Sequence, residues 1–433
     1  MLLLAWMLLA SPAPPPAPPL GEVGALTREI RSIRPDDEDF SDLLPLREAI
    51  GSARVVQLGE VTHADGTAFE AKARLVRFLT REMGFDAIAW ESGVFDVALV
   101  DQALRGTSPV HDAARGIYPG WSDSAEILSF LTWIRQSKAS PRPVELVGID
   151  PRVTSGQNRT AQFPQFVFAF FDRVDKSLLS DKDRADFVAW STALLSPQTY
   201  EKAQAAAPLR PEIARRLLSV LDSRGSDFAK HASPRDIDFL RRCLTTLLAL
   251  EQHLATRHYA GSRNAQMAES FLWHLAGRLR DRKIIVWAHN THIAEGAIGE
   301  DESDTEATAD DPSLGPVTGT VLARALGEDL YTVGLTSYQG TTRMDGRPGD
   351  PTAPVPAPPA DSLEAALHAV GKPYLFLDLH GLPPDHRLRQ SFTAGFVFYM
   401  PIKCEWAKAY DGVLFIDSMR ASTAWDNKDT RSE

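Results

Sequence analysis

Cysteine is nearly absent from this chain. Its 433 residues contain two, Cys243 and Cys404, far apart and without a Cys-x-x-Cys pair. A disulfide scaffold and a cysteine zinc site are therefore excluded, although a single bridge is not. Long apolar runs are also missing: the longest, Met1 to Ala10 (MLLLAWMLLA), has ten residues, and a membrane-spanning helix needs about 20. Basic charge is in deficit, with 46 Lys plus Arg against 57 Asp plus Glu and a formal net charge of −11. That balance leaves no broad electrostatic footprint for nucleic acid. It would favour a cationic small molecule only if the negative charge lay near a site. There is no internal repeat, no Gly-x-Ser-x-Gly nucleophile elbow, and no Walker loop or Gly-x-Gly-x-x-Gly after a strand.

What is there is an ordinary globular composition, 44% apolar and 24% charged, long enough to bury a large core. The short apolar start, followed by small residues and proline from Ser11 to Pro19, reads as a secretory leader without its usual basic start. It points to a secreted or periplasmic protein, the alternative being a cytoplasmic protein with a disordered N-terminal extension.

Several short β-branched or apolar runs read as buried strands: Arg54 to Leu58, Asp86 to Trp90, Val144 to Ile149 and Lys283 to Ala288, with Tyr331 to Leu335 and Val413 to Ile416 as further candidates. Between the first two, Ala68, Ala71, Leu75, Phe78 and Leu79 recur at helical spacing, with Gly84 as C-cap. Strands separated by helices predict an α/β fold with a mostly parallel central sheet. Asp150 to Arg263 has no strand pattern. It carries a helix from Arg210 to Leu221 and a stripe of Ile237, Leu240, Leu244, Leu247, Leu248 and Leu254, opened by Ser233 as N-cap and Pro234. The expected organisation is a leader (1–20), the first part of the α/β core (21–160), an all-helical insertion capping it (161–262), the second part of the core (263–420) and a C-terminal tail (421–433). Glu300 to Asp311, with seven acids, and the Pro/Ala-rich Pro348 to Pro359 read as solvated loops.

The chemistry-bearing residues share one position in this pattern. Glu60 and His63 follow the first strand, Glu91 the second and Asp150 the third; His289, Asn290 and His292 follow Lys283 to Ala288. In a parallel sheet all these strand ends lie along one edge, where ligands bind. An acid after a strand commonly caps the next helix, which suits Asp150, whereas a carboxylate at the end of an apolar strand, as at Glu91, is costly unless paired. His63 can accept a proton from water while a carboxylate orients its ring. Three histidines with acids could also hold a metal, but the spacing is not His-Glu-x-x-His. The local negative charge is Glu60, Glu91 and Asp150, set against the three histidines.

At these residues the chain resembles the erythromycin esterase family, and its flanking sequence is similar to the type II macrolide esterases. The likeness runs from about Ile33 to Ile416 through PDDEDFSDLLPLREAIGSARVVQLGEVTH, LVRFLTREMGFDAIAWESG, GIDPR, MAESFLWHL, VWAHNTHI, LTSYQG and YDGVLFI. The resemblance implies a hydrolase that opens an ester or macrolactone, with macrolide resistance as a consequence and no metal or other cofactor. It implies His63 as general base, Glu60 orienting it, Glu91 in the same polar cluster, and His289 and His292 polarising the ester carbonyl or positioning the lactone. Lys72 stands where relatives tend to carry arginine; with Asn290 and Asp150 it joins His292 in the expected substrate-binding set. Arg263-Asn264 stands where an Arg/Lys-Asp or Asp-Lys pair often precedes the Met-Ala motif, and no site role is assigned to it. Two features depart from the family. The leader is unlike the cytoplasmic macrolide esterases, and Ala64 to Thr67 replaces a glycine-led run, which reshapes the pocket. The expected partner is a small-molecule ester, with a monomer favoured. A metal-dependent hydrolase on a related scaffold and a non-catalytic binder of an amine-bearing product are the alternatives.

Overall fold

In the computed structural model, described for residues 20, 23–152, 162–195, 212–255, 259–298, 317–343 and 347–426, the apolar runs form the centre of one sheet. In chain order the strands are β1 (Thr27–Glu29), β2 (Val55–Leu58), β3 (Phe85–Gly93), β4 (Glu145–Asp150), β5 (Lys283–Trp287), β6 (Leu330–Thr342), β7 (Ala353–Pro354), β8 (Tyr374–Asp378), β9 (Phe392–Val397), β10 (Met400–Cys404) and β11 (Gly412–Met419). The large sheet runs β1-β8-β11-β6-β2-β5-β3-β4, with β7 on β6, and β9 and β10 form a separate hairpin. From β11 to β4 every pairing is parallel; β8 and β1 extend that edge antiparallel. This is the expected α/β fold, with antiparallel strands that the sequence pattern did not suggest.

The buried pattern of β2 and β3 is continuous rather than alternating, as it must be when helices cover both faces. One face packs the helices Gly66–Met83 and Ala125–Ser137 against Trp90 and Trp287, which stack at 5.0 Å. The other packs the helix Tyr259–Ala276 through Met267, Ala268 and Phe271. The helix Gly66–Met83 stops at Gly84, whose left-handed φ of 75° suits a residue without Cβ.

Residues 162–255 contain no strand among those described and gather around a core of their own, including Phe163, Phe171, Phe187, Leu217 and Leu244. Ser233 Oγ accepts from the Asp236 N–H and opens the helix Pro234–Ala255, with Leu240, Leu244 and Leu247 inward. The leader other than Leu20, the acidic loop Glu300–Asp311, Arg210, the Leu254 side chain and residues 427–433 lie outside the described residues. Neither cysteine forms a disulfide. No helix among the described residues is long and apolar enough to cross a membrane.

Strand order places the site. The chain leaves β2, forms β3 and β4 to one side, and returns as β5 between β2 and β3. That return sets His289 to His292 between the segment after β2 and the end of β3. The approach is close: a Cβ on Gly59 would lie 1.9 Å from Asn290 Oδ1, so only glycine fits there.

Candidate active site

His63 lies at the centre. Its Nδ1 is 2.8 Å from Glu60 Oε1. That carboxylate is fully buried and held from two further sides: Lys72 Nζ donates to Oε2 at 2.7 Å, and Trp121 Nε1–H donates to Oε1 at 2.9 Å. Lys72 also sits 4.2 Å over the Trp287 ring. Burial lowers its ammonium to about 8 despite the opposing pull of Glu60. Two donors that cannot accept select the ionised, accepting form of Glu60. The proton of the His63–Glu60 bond therefore belongs to Nδ1, which leaves the Nε2 lone pair free. Trp121 lies against the same ring, 4.4 Å between centroids, and Tyr118 meets it edge-on at 5.5 Å.

Glu91, buried at the end of β3, is 3.7 Å from His63 Nε2 through Oε1. Its Oε2 accepts from the His289 backbone N–H at 2.8 Å, and Arg263 Nη2 donates to Oε1 at 2.8 Å. Burial pushes this carboxyl up, but the His292 and His63 rings and the Arg263 guanidinium outweigh it and hold the group well below the usual range. Arg263 also binds Asp150, Nε to Oδ2 at 3.2 Å, and Arg152 grips the same carboxylate at 3.0 Å. Burial opposes ionisation of Asp150 as well; the two guanidiniums reverse it and depress its pKa.

Each expected residue has a definite place. His289 is buried, and both of its ring nitrogens are engaged, Nε2 with the Val61 carbonyl at 2.6 Å and Nδ1 with Thr291 Oγ1 at 2.8 Å. Burial lowers it to about 3, so it is neutral. His292 Nδ1 meets Asn264 Oδ1 at 2.6 Å, and its Nε2 lies between Arg263 Nη1 at 2.9 Å and Glu91 Oε1 at 3.1 Å. Asn290 is fully buried and bonds the carbonyls of Leu335 and Phe396 and the Leu335 N–H; it ties β6 and β9 to the segment after β5, with its side-chain oxygen and nitrogen both engaged. Asp150 and Lys72 are likewise buried, acting on Arg152 and Arg263 and on Glu60. Arg263, given no role from sequence, joins Glu91, Asp150 and His292, and this corrects that reading. The expected negative cleft is also corrected: Glu60, Glu91 and Asp150 are matched by Lys72, Arg152 and Arg263. Among the described residues no group of three His, Cys, Asp or Glu side chains is arranged to hold a metal ion.

Asp65, two residues after His63, is buried. Its Oδ1 accepts from Thr342 Oγ1 at 2.6 Å and its Oδ2 from the Tyr399 hydroxyl at 2.8 Å. Desolvation raises its carboxyl to about 6. Phe398, beside Tyr399, packs on His289 with ring centroids 4.5 Å apart.

Known proteins are similar to this chain over most of its length. Over 421 residues, 92% of this chain and 91% of the relative, the sequence is 25% identical to the putative hydrolase YbfO of Bacillus subtilis (strain 168). It is 26% identical to the type II erythromycin esterase of Escherichia coli, covering 89% and 94% of the two chains. Among solved structures, a Bacillus cereus protein superposes with a TM-score of 0.76 at 20% identity, covering 93% of this chain and 98% of that one. The erythromycin esterase mutant EreC in its open conformation superposes with a TM-score of 0.69 at 20% identity, over 92% and 99%. These structural matches carry the fold. The erythromycin esterase family model matches residues 80–419, the greater part of a sheet whose strand ends hold this cluster, and the chain belongs to that family.

Proposed function

We propose that this protein is a carboxylic ester hydrolase that opens an ester or macrolactone by attack of a water activated by His63, with macrolide resistance as the consequence where the lactone is an antibiotic. Family membership supports the hydrolase, and the observation that carries the finer reading is the His63–Glu60 pair. A 2.8 Å bond fixes the tautomer, and at 26% side-chain exposure His63 is the most open of the three site histidines, against 13% for His292. Nε2 takes a proton from water as the water oxygen bonds to the ester carbonyl carbon, and Glu60 stabilises the imidazolium formed. The tetrahedral intermediate collapses, the ester C–O bond breaks, and the same Nε2–H returns its proton to the departing alkoxide. Arg152, a third exposed and 3.9 Å from the Glu91 oxygen that His63 also approaches, is the cation placed to hold the developing oxyanion. Balanced charge at the site gives no support to capture of an amine.

The test is mass spectrometry of a panel of macrolides and simpler lactones incubated with the protein. The expected product gains one water, and His63→Asn abolishes turnover while its melting curve stays that of the wild type. Full activity in His63→Asn would sink the reading.

A further inference from the structure

The β9–β10 hairpin ends in a feature that proton transfer at His63 does not require. Val397 pairs with Met400, so Phe398 and Tyr399 alone make the turn. Both have positive φ, 48° and 59°. Two consecutive positive values are what a type I′ turn demands, and Asn-Gly or Gly-Gly meets that demand without steric conflict. A bulky aromatic residue in this region is an outlier, held only where its surroundings over-determine it.

Here they do. Tyr399 is buried and its hydroxyl donates to Asp65 Oδ2, tying the turn to the loop that carries His63. Phe398 is only partly buried. Its ring lies 4.5 Å from His289, whose ring is 5.5 Å from that of His63. The strained pair thus points one ring into an anchor and leaves the other as a part-exposed apolar surface beside the histidines. A residue needed only for packing has no reason to sit in a backbone conformation hostile to it.

We infer that Phe398 is a specificity-determining residue, an apolar wall of the reaction cleft that contacts the hydrocarbon flank of the substrate, with the Tyr399–Asp65 bond as its anchor. The inference rests on the ester-hydrolase reading and narrows it to esters with a bulky apolar flank, against small or highly charged ones.

Two variants test it. Phe398→Asn suits the turn and removes the apolar face; Phe398→Leu keeps apolar bulk. The kcat/KM of wild type and both variants is measured on γ-butyrolactone and on ω-pentadecalactone by pH-stat titration, beside thermal melting. The Asn variant is expected to lose at least about tenfold more on the large lactone than on the small one. The Leu variant recovers most of that loss, and the Asn variant melts within about 2 °C of the wild type or above it. Equal losses on both lactones, or a much lower melting temperature for Phe398→Asn, would overturn the inference and make Phe398 a packing residue. Turnover of neither lactone by the wild type overturns the ester reading and this inference together, and is told apart because the failure is already there before any substitution.

Discussion

Lys72 Nζ and His63 Nδ1 bind opposite oxygens of one buried carboxylate, Glu60 Oε2 at 2.7 Å and Oε1 at 2.8 Å. Lys72 therefore acts on the histidine through Glu60 and not on a ligand. Losing one member of such a buried pair strands the other, at a cost of about 3–5 kcal/mol. Glu60→Gln is expected to lower kcat by about 10²–10⁴-fold and also to destabilise the fold, because Lys72 loses its counter-charge. Glu60→Gln/Lys72→Met removes the stranded charge and should recover most of the stability but none of the activity. Thermal melting read beside kcat checks this. Recovery of both together would mean that Glu60 has no role beyond packing.

Trp121 provides a milder perturbation of the same carboxylate. Trp121→Phe keeps an aromatic ring against His63 and deletes only the N–H bonded to Glu60 Oε1. A hydrogen bond to a charged group contributes about 1.5–3 kcal/mol, so kcat should fall by about 10- to 150-fold where the whole bond is lost to the transition state, with KM little changed because no substrate contact is lost. A rise in KM at constant kcat would instead place Trp121 in the binding surface.

How much of this could be read from sequence depended on the range of the interaction involved. Glu60, His63, Glu91 and His289 were legible because each follows a short apolar strand, and parallel strands end on one edge. The return of β5 between β2 and β3 was not, since strand order is decided by tertiary packing and not by local pattern. Arg263 was lost for a similar reason: it sits on the helix Tyr259–Ala276, behind a long helical stretch, and nothing local marks its meeting with Glu91 and Asp150. Trp121 follows Pro119-Gly120, which reads as a turn with a packing residue. The β9–β10 hairpin was invisible because Phe398-Tyr399 replaces the turn residues that announce a two-residue loop.

Arg263 is expected to matter for stability as much as for activity. It pairs with both Glu91 and Asp150, each buried, and is the nearer to Glu91 of the two arginines that reach them. Arg263→Met leaves two carboxylates short of charge and should cost about 3–5 kcal/mol, a fall in melting temperature of roughly 4 °C for a chain of this length. Adding Asp150→Asn removes one of those charges and should recover part of the loss, which differential scanning calorimetry would show. An Arg263→Met protein as stable as the wild type would mean that Arg152 alone satisfies both acids.

Histidines buried in the neutral form contribute stability that acid removes well above the carboxylate range. Burial lowers His289 and His274 each to about 3. Both bind a proton in the unfolded chain near pH 6.5, so between pH 6.5 and 3 each of these two groups gives the unfolded state about one more proton, while Asp65, raised to about 6, and Glu295, raised by burial to about 8, hold protons in the fold above the usual carboxylate range and act in the opposite sense. Each histidine thus contributes stability that is present at higher pH and lost as pH falls through this window, about 1.5 °C of melting temperature per pH unit. Glu91 and Asp150, depressed in the fold, add the same sign only below about pH 4.5, once unfolded carboxyls protonate. In the interval from pH 6.5 to 4.5 the contribution of one histidine is therefore read as the difference between the wild type and a variant lacking it. His274, whose Nε2 bonds the Gly148 carbonyl at 3.0 Å, lies away from His63 on the helix Tyr259–Ala276, so His274→Gln can be made without touching the site. That variant should shift the slope in this interval by about 1.5 °C per pH unit relative to the wild type, towards less loss of stability in acid. An unchanged slope would mean that His274 gains no proton on unfolding.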